Sequence, residues 1–123
     1  MKKILAAVAL VVSLGSCGGD SALSQQDACK SQVNLLCDKF FSCYSTQELS
    51  LPAVQAIIGL NAADCKVKYS AECTADKVKC NLGQTYHADK AQACVDAYSG
   101  LSCADVKKDK LPEPAACAQV CST

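Results

Sequence analysis

The sequence lacks arginine and tryptophan altogether and contains a single histidine. Arginine pairs with phosphate or guanine through two parallel hydrogen bonds, and tryptophan offers the best surface on which bases stack. Lysine and acidic residues number 12 each, so the chain has no basic excess. These absences predict that the protein has no nucleic-acid partner.

Catalytic signatures are missing as well. No serine stands in a recognisable nucleophile motif, so the only histidine, His87, does not indicate a catalytic triad, and we expect it to be an exposed turn or cap residue. A thiol–disulfide oxidoreductase would be expected to carry a C-x-x-C pair, and the sequence has none. The sequence therefore predicts a non-enzymatic protein with no catalytic residues, no metal ligands and no cofactor. The carboxylates are expected to be solvated charges or helix caps: Asp38, Asp64, Asp76, Asp89, Asp96 and Asp105.

Cysteine, in contrast, is abundant. Eleven cysteines in 123 residues are typical of an oxidised scaffold outside the cytosol. The aromatic residues make up only 5% of the chain, so the hydrophobic core is expected to be modest. At about 2 to 4 kcal/mol for each disulfide, the cross-links are expected to supply much of the stability. Eleven is also an odd number, which leaves one thiol to be explained.

The amino terminus has the pattern of a secretory signal. Lys2 and Lys3 precede an uninterrupted apolar run over residues 4–12. That run is too short to cross a bilayer, which needs about 20 apolar residues. We therefore expect residues 1–16 to be a signal peptide that is removed from the mature protein.

The apolar run is followed by Leu14-Gly15-Ser16-Cys17. This segment resembles the lipobox of bacterial lipoprotein precursors, in which a leucine and two small residues precede the cysteine. The resemblance implies that the Cys17 thiol receives a diacylglyceryl group, that cleavage falls between Ser16 and Cys17, and that fatty acyl chains such as palmitate then hold the protein to a membrane. The alternative is an ordinary cleaved signal with Cys17 in a disulfide, although no A-x-A-like cleavage site lies between the apolar run and Cys17.

The same resemblance implies a location. The chain would lie in the bacterial cell envelope, lipid-anchored and outside the cytoplasm. In lipoproteins of two-membrane bacteria, an aspartate directly after the lipidated cysteine favours retention at the inner membrane. Gly18 occupies that position here, so the resemblance implies the outer membrane if the cell has one.

The mature chain is expected to consist of a tether and one domain. Residues 17–26 contain Cys17 and then mainly small and polar residues, which predicts a flexible tether. Residues 27–123 are expected to form a disulfide-rich domain. If lipid occupies Cys17, ten cysteines remain for five disulfides, with the pairing left open by the sequence: Cys29, Cys37, Cys43, Cys65, Cys73, Cys80, Cys94, Cys103, Cys117 and Cys121.

Apolar residues in this domain recur at three- and four-residue steps, the spacing of amphipathic helices. Asp27 is expected to cap the first helix and Ser50 the second, which has Pro52 in its first turn and ends before Asn61. Strand signals are weak throughout. The predicted fold class is mainly α, a small disulfide-stapled bundle of four to five short helices. The first helix is predicted over residues 28–44, and the helices after the second are predicted over 62–72, 88–99 and 115–121.

Helix geometry restricts the disulfide pairing. Cys29 and Cys37 would lie about 12 Å apart along one helix, as would Cys65 and Cys73 along another, whereas a disulfide tolerates a Cα separation of roughly 4.4 to 6.8 Å. Each pair of cysteines would nevertheless stay on one broad helix face. Two such helices set antiparallel could be joined by two disulfides, so we predict that Cys29 pairs with Cys73 and Cys37 with Cys65.

A loose repeat accompanies these helices. Cys37, Cys65 and Cys94 are each followed four residues later by an aromatic residue and then by serine. Residues at positions i and i+4 of a helix share a face, so each cysteine and its ring are expected to face the same core. Either an internal duplication or shared packing constraints could produce this pattern.

The predicted function is that of a non-enzymatic, membrane-anchored extracytoplasmic lipoprotein, acting as a structural or interaction module for an envelope or extracellular protein partner. One alternative is a carrier that shelters an apolar ligand between helices, suggested by the apolar segment 54–60. Another is a metal or redox chaperone, because Cys117 and Cys121 would share one helix face and could bind a soft metal such as Cu(I) together with His87. The competing interpretation of Cys117 and Cys121 is that each belongs to a different structural disulfide.

Overall fold

The structure is a computed structural model that describes residues 22–123. The predicted signal peptide, Cys17, Gly18 and residues 19–21 of the predicted tether lie outside the described residues. Within them the chain is mainly helical and stapled by disulfides, which confirms the predicted fold class. The helices are α1 (Gln25–Cys43), α2 (Thr46–Leu49), α3 (Pro52–Ile58), α4 (Ala62–Ser70), α5 (Ala88–Ser99) and α6 (Cys103–Val106), followed by a 3-10 helix (Ala115–Gln119), with two short strands, β1 (Thr85–Tyr86) and β2 (Cys121–Ser122).

Helix α1 begins earlier than predicted. Ser24 is its N-cap, and the Ser24 hydroxyl oxygen accepts a hydrogen bond of 3.1 Å from the backbone N–H of Asp27. The prediction that Asp27 is the cap is therefore wrong, since Asp27 lies in the first turn and its carboxylate accepts from the Ser24 hydroxyl at 2.8 Å. Gln25 and Gln26, which were predicted to belong to the tether, lie in this helix instead.

The predicted second helix corresponds to α3, and the short helix α2 that precedes it was not predicted. Ser45 caps α2 in a capping box with Glu48, and Ser50 lies at the C-terminal end of α2 and is not an N-cap. Helix α3 then begins at Pro52, whose fixed φ and missing N–H suit the first turn of a helix. It ends at Gly59, before the predicted boundary, because Gly59 has a φ of 88° that cannot continue a helix.

The long helix α1 is the centre of the domain. It packs against α4 on one side and against α5 on another, and it also contacts α6. Four of the nine buried hydrophobic residues in the described part of the chain are cysteines, which agrees with the expectation of a modest core reinforced by disulfides. Cys37, Cys65 and Cys94 are buried as the repeat predicted, but of the three aromatic residues that follow them only Tyr98 is buried, while Phe41 and Tyr69 are half-buried.

The C-terminal segment folds back onto the start of α5. Strands β1 and β2 pair antiparallel, with Tyr86 opposite Cys121. The backbone N–H of His87 donates a 2.9 Å hydrogen bond to the Val120 carbonyl and extends this connection. The last helix, predicted over 115–121, is a 3-10 helix that ends at Gln119, since the chain then enters β2. Helix α5 has the bounds predicted for it, 88–99.

Candidate functional site

The ten cysteines from Cys29 to Cys121 are all paired in disulfides. Two of the five pairs are those predicted from helix spacing, and the other three were left open by the sequence. The disulfides are Cys29–Cys73, Cys37–Cys65, Cys43–Cys103, Cys80–Cys121 and Cys94–Cys117.

The two predicted pairs join α1 to the antiparallel segment that contains α4. The Cα atoms of Cys29 and Cys73 are 5.6 Å apart, and those of Cys37 and Cys65 are 5.8 Å apart, which is within the range of an ordinary disulfide. Cys43, at the C-terminal end of α1, is joined to α6. Helix α1 is thus cross-linked at three positions along its length, so it forms a rigid axis for the rest of the domain.

Cys117 and Cys121 do not form the pair of thiols that the chaperone hypothesis needs. Cys117 is bonded to Cys94 and Cys121 to Cys80. A soft metal is bound by thiolates, and neither sulfur is a thiolate in a disulfide. Among residues 22–123, no group of three or more His, Cys, Asp or Glu side chains is arranged to hold a metal ion.

His87 was expected to be an exposed turn or cap residue. It is the N-cap residue of α5, but it is half-buried and not exposed. Its backbone bond to Val120 brings the C-terminal segment against it, which explains the burial. The His87 imidazole forms no capping hydrogen bond, and its buried Nε2 has no hydrogen-bond partner among the described residues.

The carboxylates lie at helix ends or on exposed faces. Asp38 forms a 2.7 Å salt bridge with Lys66. Asp105 lies in the first turn of α6, where a hydrogen bond from the Lys108 ammonium and further ones from Ser102 lower its pKa from 3.8 to about 2. The lowered pKa therefore comes first from Lys108 and second from the capping contacts with Ser102. The remaining predicted caps and surface charges are exposed: Asp64, Asp76, Asp89 and Asp96.

An apolar groove lies between α1 and α3. It consists of two cavities of about 410 and 270 Å³ that share three lining residues, Phe40, Ile57 and Ile58. The larger cavity also has Lys108 and Asp109 in its lining. The smaller one is lined almost entirely by apolar atoms. The groove therefore offers a site for an apolar group, with charged residues at one of its two parts.

Helix α4 holds α3 in place as one wall of this groove. The Lys68 ammonium and the Tyr69 hydroxyl both donate hydrogen bonds to the Ile57 carbonyl oxygen, at 2.8 and 2.7 Å. These donors satisfy a carbonyl that the end of α3 leaves without a partner in its own helix. The sequence indicated only the segment 54–60 of this groove. Its other wall includes Phe40 in the last turn of α1 and Tyr44, the C-cap residue of that helix.

These features define a small helical domain stapled by five disulfides. Comparisons of the chain with protein-family models, with curated proteins and with solved structures found no match. None of the helices between residues 22 and 123 combines the length and the apolar character required to span a membrane.

Proposed function

We propose that this chain is the precursor of a bacterial lipoprotein, and that a lipid on Cys17 holds its helical domain to a membrane outside the cytoplasm. The domain acts there as a non-enzymatic structural or interaction module. Its partner is an envelope or extracellular protein.

The observation that carries this proposal is the pairing of the cysteines. Ten of the eleven form five disulfides with one another, so Cys17 is the one cysteine outside this set. In an ordinary secreted protein, Cys17 could form a disulfide only with a cysteine of another molecule, because the ten cysteines of the domain are all paired. The odd cysteine also stands directly behind the apolar run, in the segment that resembles a lipobox.

The construction of the domain supports an interaction role. Three disulfides bind α1 to segments elsewhere in the chain, and two more hold the C-terminal segment. A domain that is cross-linked in this way loses little conformational entropy when it binds a partner.

Intact-mass analysis of the protein from bacterial membranes tests this proposal. The wild-type chain is expected to begin at Cys17, to carry the added mass of a lipid and to contain no free thiol. The Cys17→Ser variant is expected to lose the lipid mass and to keep all five disulfides. The matched control Ser16→Ala, which keeps a small residue before the cleavage site, is expected to be lipidated. A wild-type chain with Cys17 as a free thiol or in a disulfide would contradict the proposal.

The apolar groove favours one second candidate, a carrier of an apolar ligand. Its lining by Phe40, Ile57 and Ile58 suits an acyl chain or a similar apolar group. Ile57 is 62% exposed, so the groove is open to the solvent and a ligand could enter without a large rearrangement. The chaperone hypothesis is not retained, because Cys117 and Cys121 are oxidised in separate disulfides.

A further inference from the structure

Leu82 is the most exposed large apolar side chain in the described part of the chain, at 105% of the reference exposure. It lies in a tight turn in which the backbone N–H of Gln84 donates a 3.0 Å hydrogen bond to the Asn81 carbonyl. Gly83 has a φ of 84°, which glycine adopts without strain and which the turn requires. A single exposed leucine is ordinary on a protein surface. Its significance depends on its position in the fold.

The turn is held firmly on both sides. Cys80, just before it, is bonded to Cys121, and Thr85 and Tyr86, just after it, pair with β2. Leu82 is therefore presented on a backbone that is already ordered, so little further ordering is needed when its side chain makes a contact.

The residues that flank the turn also contact the start of the described chain. The Tyr86 hydroxyl donates a 2.6 Å hydrogen bond to the Leu23 carbonyl, and the Gln25 side chain donates to the Cys80 sulfur at 3.1 Å. Leu82 is two residues from Cys80, so their Cα atoms are within about 7 Å of each other. The turn and the point where the N-terminal chain enters the fold thus lie at the same end of α1.

Few residues separate Cys17 from the start of the described chain, so this end of the domain stays close to any membrane that the lipid enters. Ala22 is the fifth residue after Cys17, and five residues span at most about 18 Å. Cys43, at the opposite end of α1, lies about 27 Å further along the helix axis than Gln25. The lipid would therefore hold the Leu82 end within reach of the bilayer and leave the opposite end free to point away.

We propose that Leu82 inserts into the surface of the lipid bilayer and forms a second contact between the domain and the membrane. This inference rests on the proposed lipid attachment at Cys17. Transfer of a leucine side chain from water to apolar surroundings is favourable, and the tether raises its effective concentration at the bilayer, so one side chain is sufficient. The contact orients the domain, with the turn at the membrane and the apolar groove accessible from the solvent.

Charges around the turn do not select an anionic lipid. Lys77 forms a 2.6 Å salt bridge with Glu72, and Asp76 lies beside it in the chain. Lys79 forms no salt bridge with any residue of the described range 22–123. Because charges of both signs are present, the contact is expected to occur on zwitterionic phospholipid without net charge, and vesicles of phosphatidylcholine are a suitable probe.

The absence of tryptophan from the chain allows a direct test. The Leu82→Trp variant would contain one tryptophan at the turn, and the matched control Leu60→Trp would contain one at a site that is also exposed, at 68%, but lies toward the other end of α1. Both lipidated proteins would be placed in phosphatidylcholine vesicles with and without brominated acyl chains. Tryptophan emission and its quenching by the bromine atoms would be measured, with the lipid mass and the five disulfides checked in each sample.

The tryptophan of Leu82→Trp is expected to emit at shorter wavelength in vesicles and to be quenched by the brominated chains, whereas that of Leu60→Trp is expected to show neither change. A lipidated Leu82→Trp protein that floats with the vesicles but is not quenched would overturn the inference and leave the proposed function intact. Equal quenching of both variants would also overturn it, because the domain would then have no fixed orientation. A chain without the lipid mass would overturn the proposed function, and this inference with it.

Discussion

The Tyr86 hydroxyl donates a hydrogen bond of 2.6 Å to the carbonyl oxygen of Leu23. The two residues are 63 positions apart, so this bond attaches the first residues of the described chain to β1. Burial raises the pKa of Tyr86 above its usual value of 10.0, with a smaller contribution from the charge of Asp27. The bond is therefore part of what determines where the N-terminal chain leaves the domain.

Replacement of Tyr86 by phenylalanine should remove this attachment. We expect Tyr86→Phe to lower the free energy of unfolding by about 0.5 to 1.5 kcal/mol, the usual contribution of one hydrogen bond. The measurement is urea denaturation, together with faster amide hydrogen exchange in the first turn of α1. The control is Tyr44→Phe, since the Tyr44 hydroxyl is a long 3.5 Å from its acceptor, the Val106 carbonyl. Equal destabilisation by the two variants would contradict the prediction.

Gly59 should be sensitive to replacement by alanine. It has a φ of 88°, and a Cβ at this position would lie 2.9 Å from the Cβ of Asp64. We expect Gly59→Ala to lower the free energy of unfolding by about 1 to 3 kcal/mol, because the new side chain combines backbone strain with a steric clash. Thermal or urea denaturation measures this change.

Gly100 provides the matched control for Gly59. It has a φ of −84°, and a Cβ there would come no closer than 3.5 Å to the Ala97 carbonyl oxygen. Gly100→Ala is expected to be neutral or to stabilise the fold by up to about 1 kcal/mol, through the reduced entropy of the unfolded chain. A Gly59→Ala variant as stable as Gly100→Ala would show that the turn after α3 does not need a glycine.

The pKa of Asp105 should depend on Lys108. The folded-state pKa is about 2, below the usual 3.8, mainly because the Lys108 ammonium donates a hydrogen bond to the carboxylate. The stabilisation linked to Asp105 is therefore present above pH 3.8 and is lost as the pH falls from 3.8 through about 2. An NMR titration should show that Lys108→Gln raises the pKa of Asp105 toward 3.8, while Lys110→Gln does not. A wild-type Asp105 that titrates near 3.8 would contradict this account.

The apolar groove makes the carrier function testable. If it binds an apolar ligand, the wild-type protein should increase the fluorescence of N-phenyl-1-naphthylamine. Ile57→Lys should weaken that binding about tenfold, or about 1.4 kcal/mol, because it removes an apolar side chain shared by both cavities and places an ammonium group at the ligand. Val67→Lys, at a site that is 75% exposed and outside the groove lining, should bind as the wild type does. No binding by the wild type, or equal loss in both variants, would count against a carrier.

Much of the helical architecture could be predicted because it depends on local patterns. Helix α5 was predicted with its observed bounds, since its apolar spacing is regular and Gly100 follows it. The short helices α2 and α6 were missed because four residues do not show a periodicity. Their only local signal is the capping box, Ser45 with Glu48 and Ser102 with Asp105.

The candidate sites were predictable to different degrees. The eight-residue spacing of Cys29 and Cys37, repeated in Cys65 and Cys73, restricted those four cysteines to an antiparallel arrangement. The partners of the other six cysteines depend on how segments far apart in the chain pack, as when Cys43 meets Cys103 across 60 residues. The sequence indicated the groove only on the α3 side, because the apolar spacing of the α1 wall is the same as that of any helix face that packs against a core.

The sequence by itself determined the helical class, the bounds of α5, two of the disulfides and the odd number of cysteines that singles out Cys17, since each follows from spacing or from counting along the chain. Only the tertiary structure decided the other three disulfides, the half-buried position of His87 and the placement of Leu82 beside the N-terminal end of α1. These features arise where the C-terminal segment and the turn before β1 meet the start of α1. Contacts between such distant segments are determined by packing and cross-linking in three dimensions, and no local pattern records them.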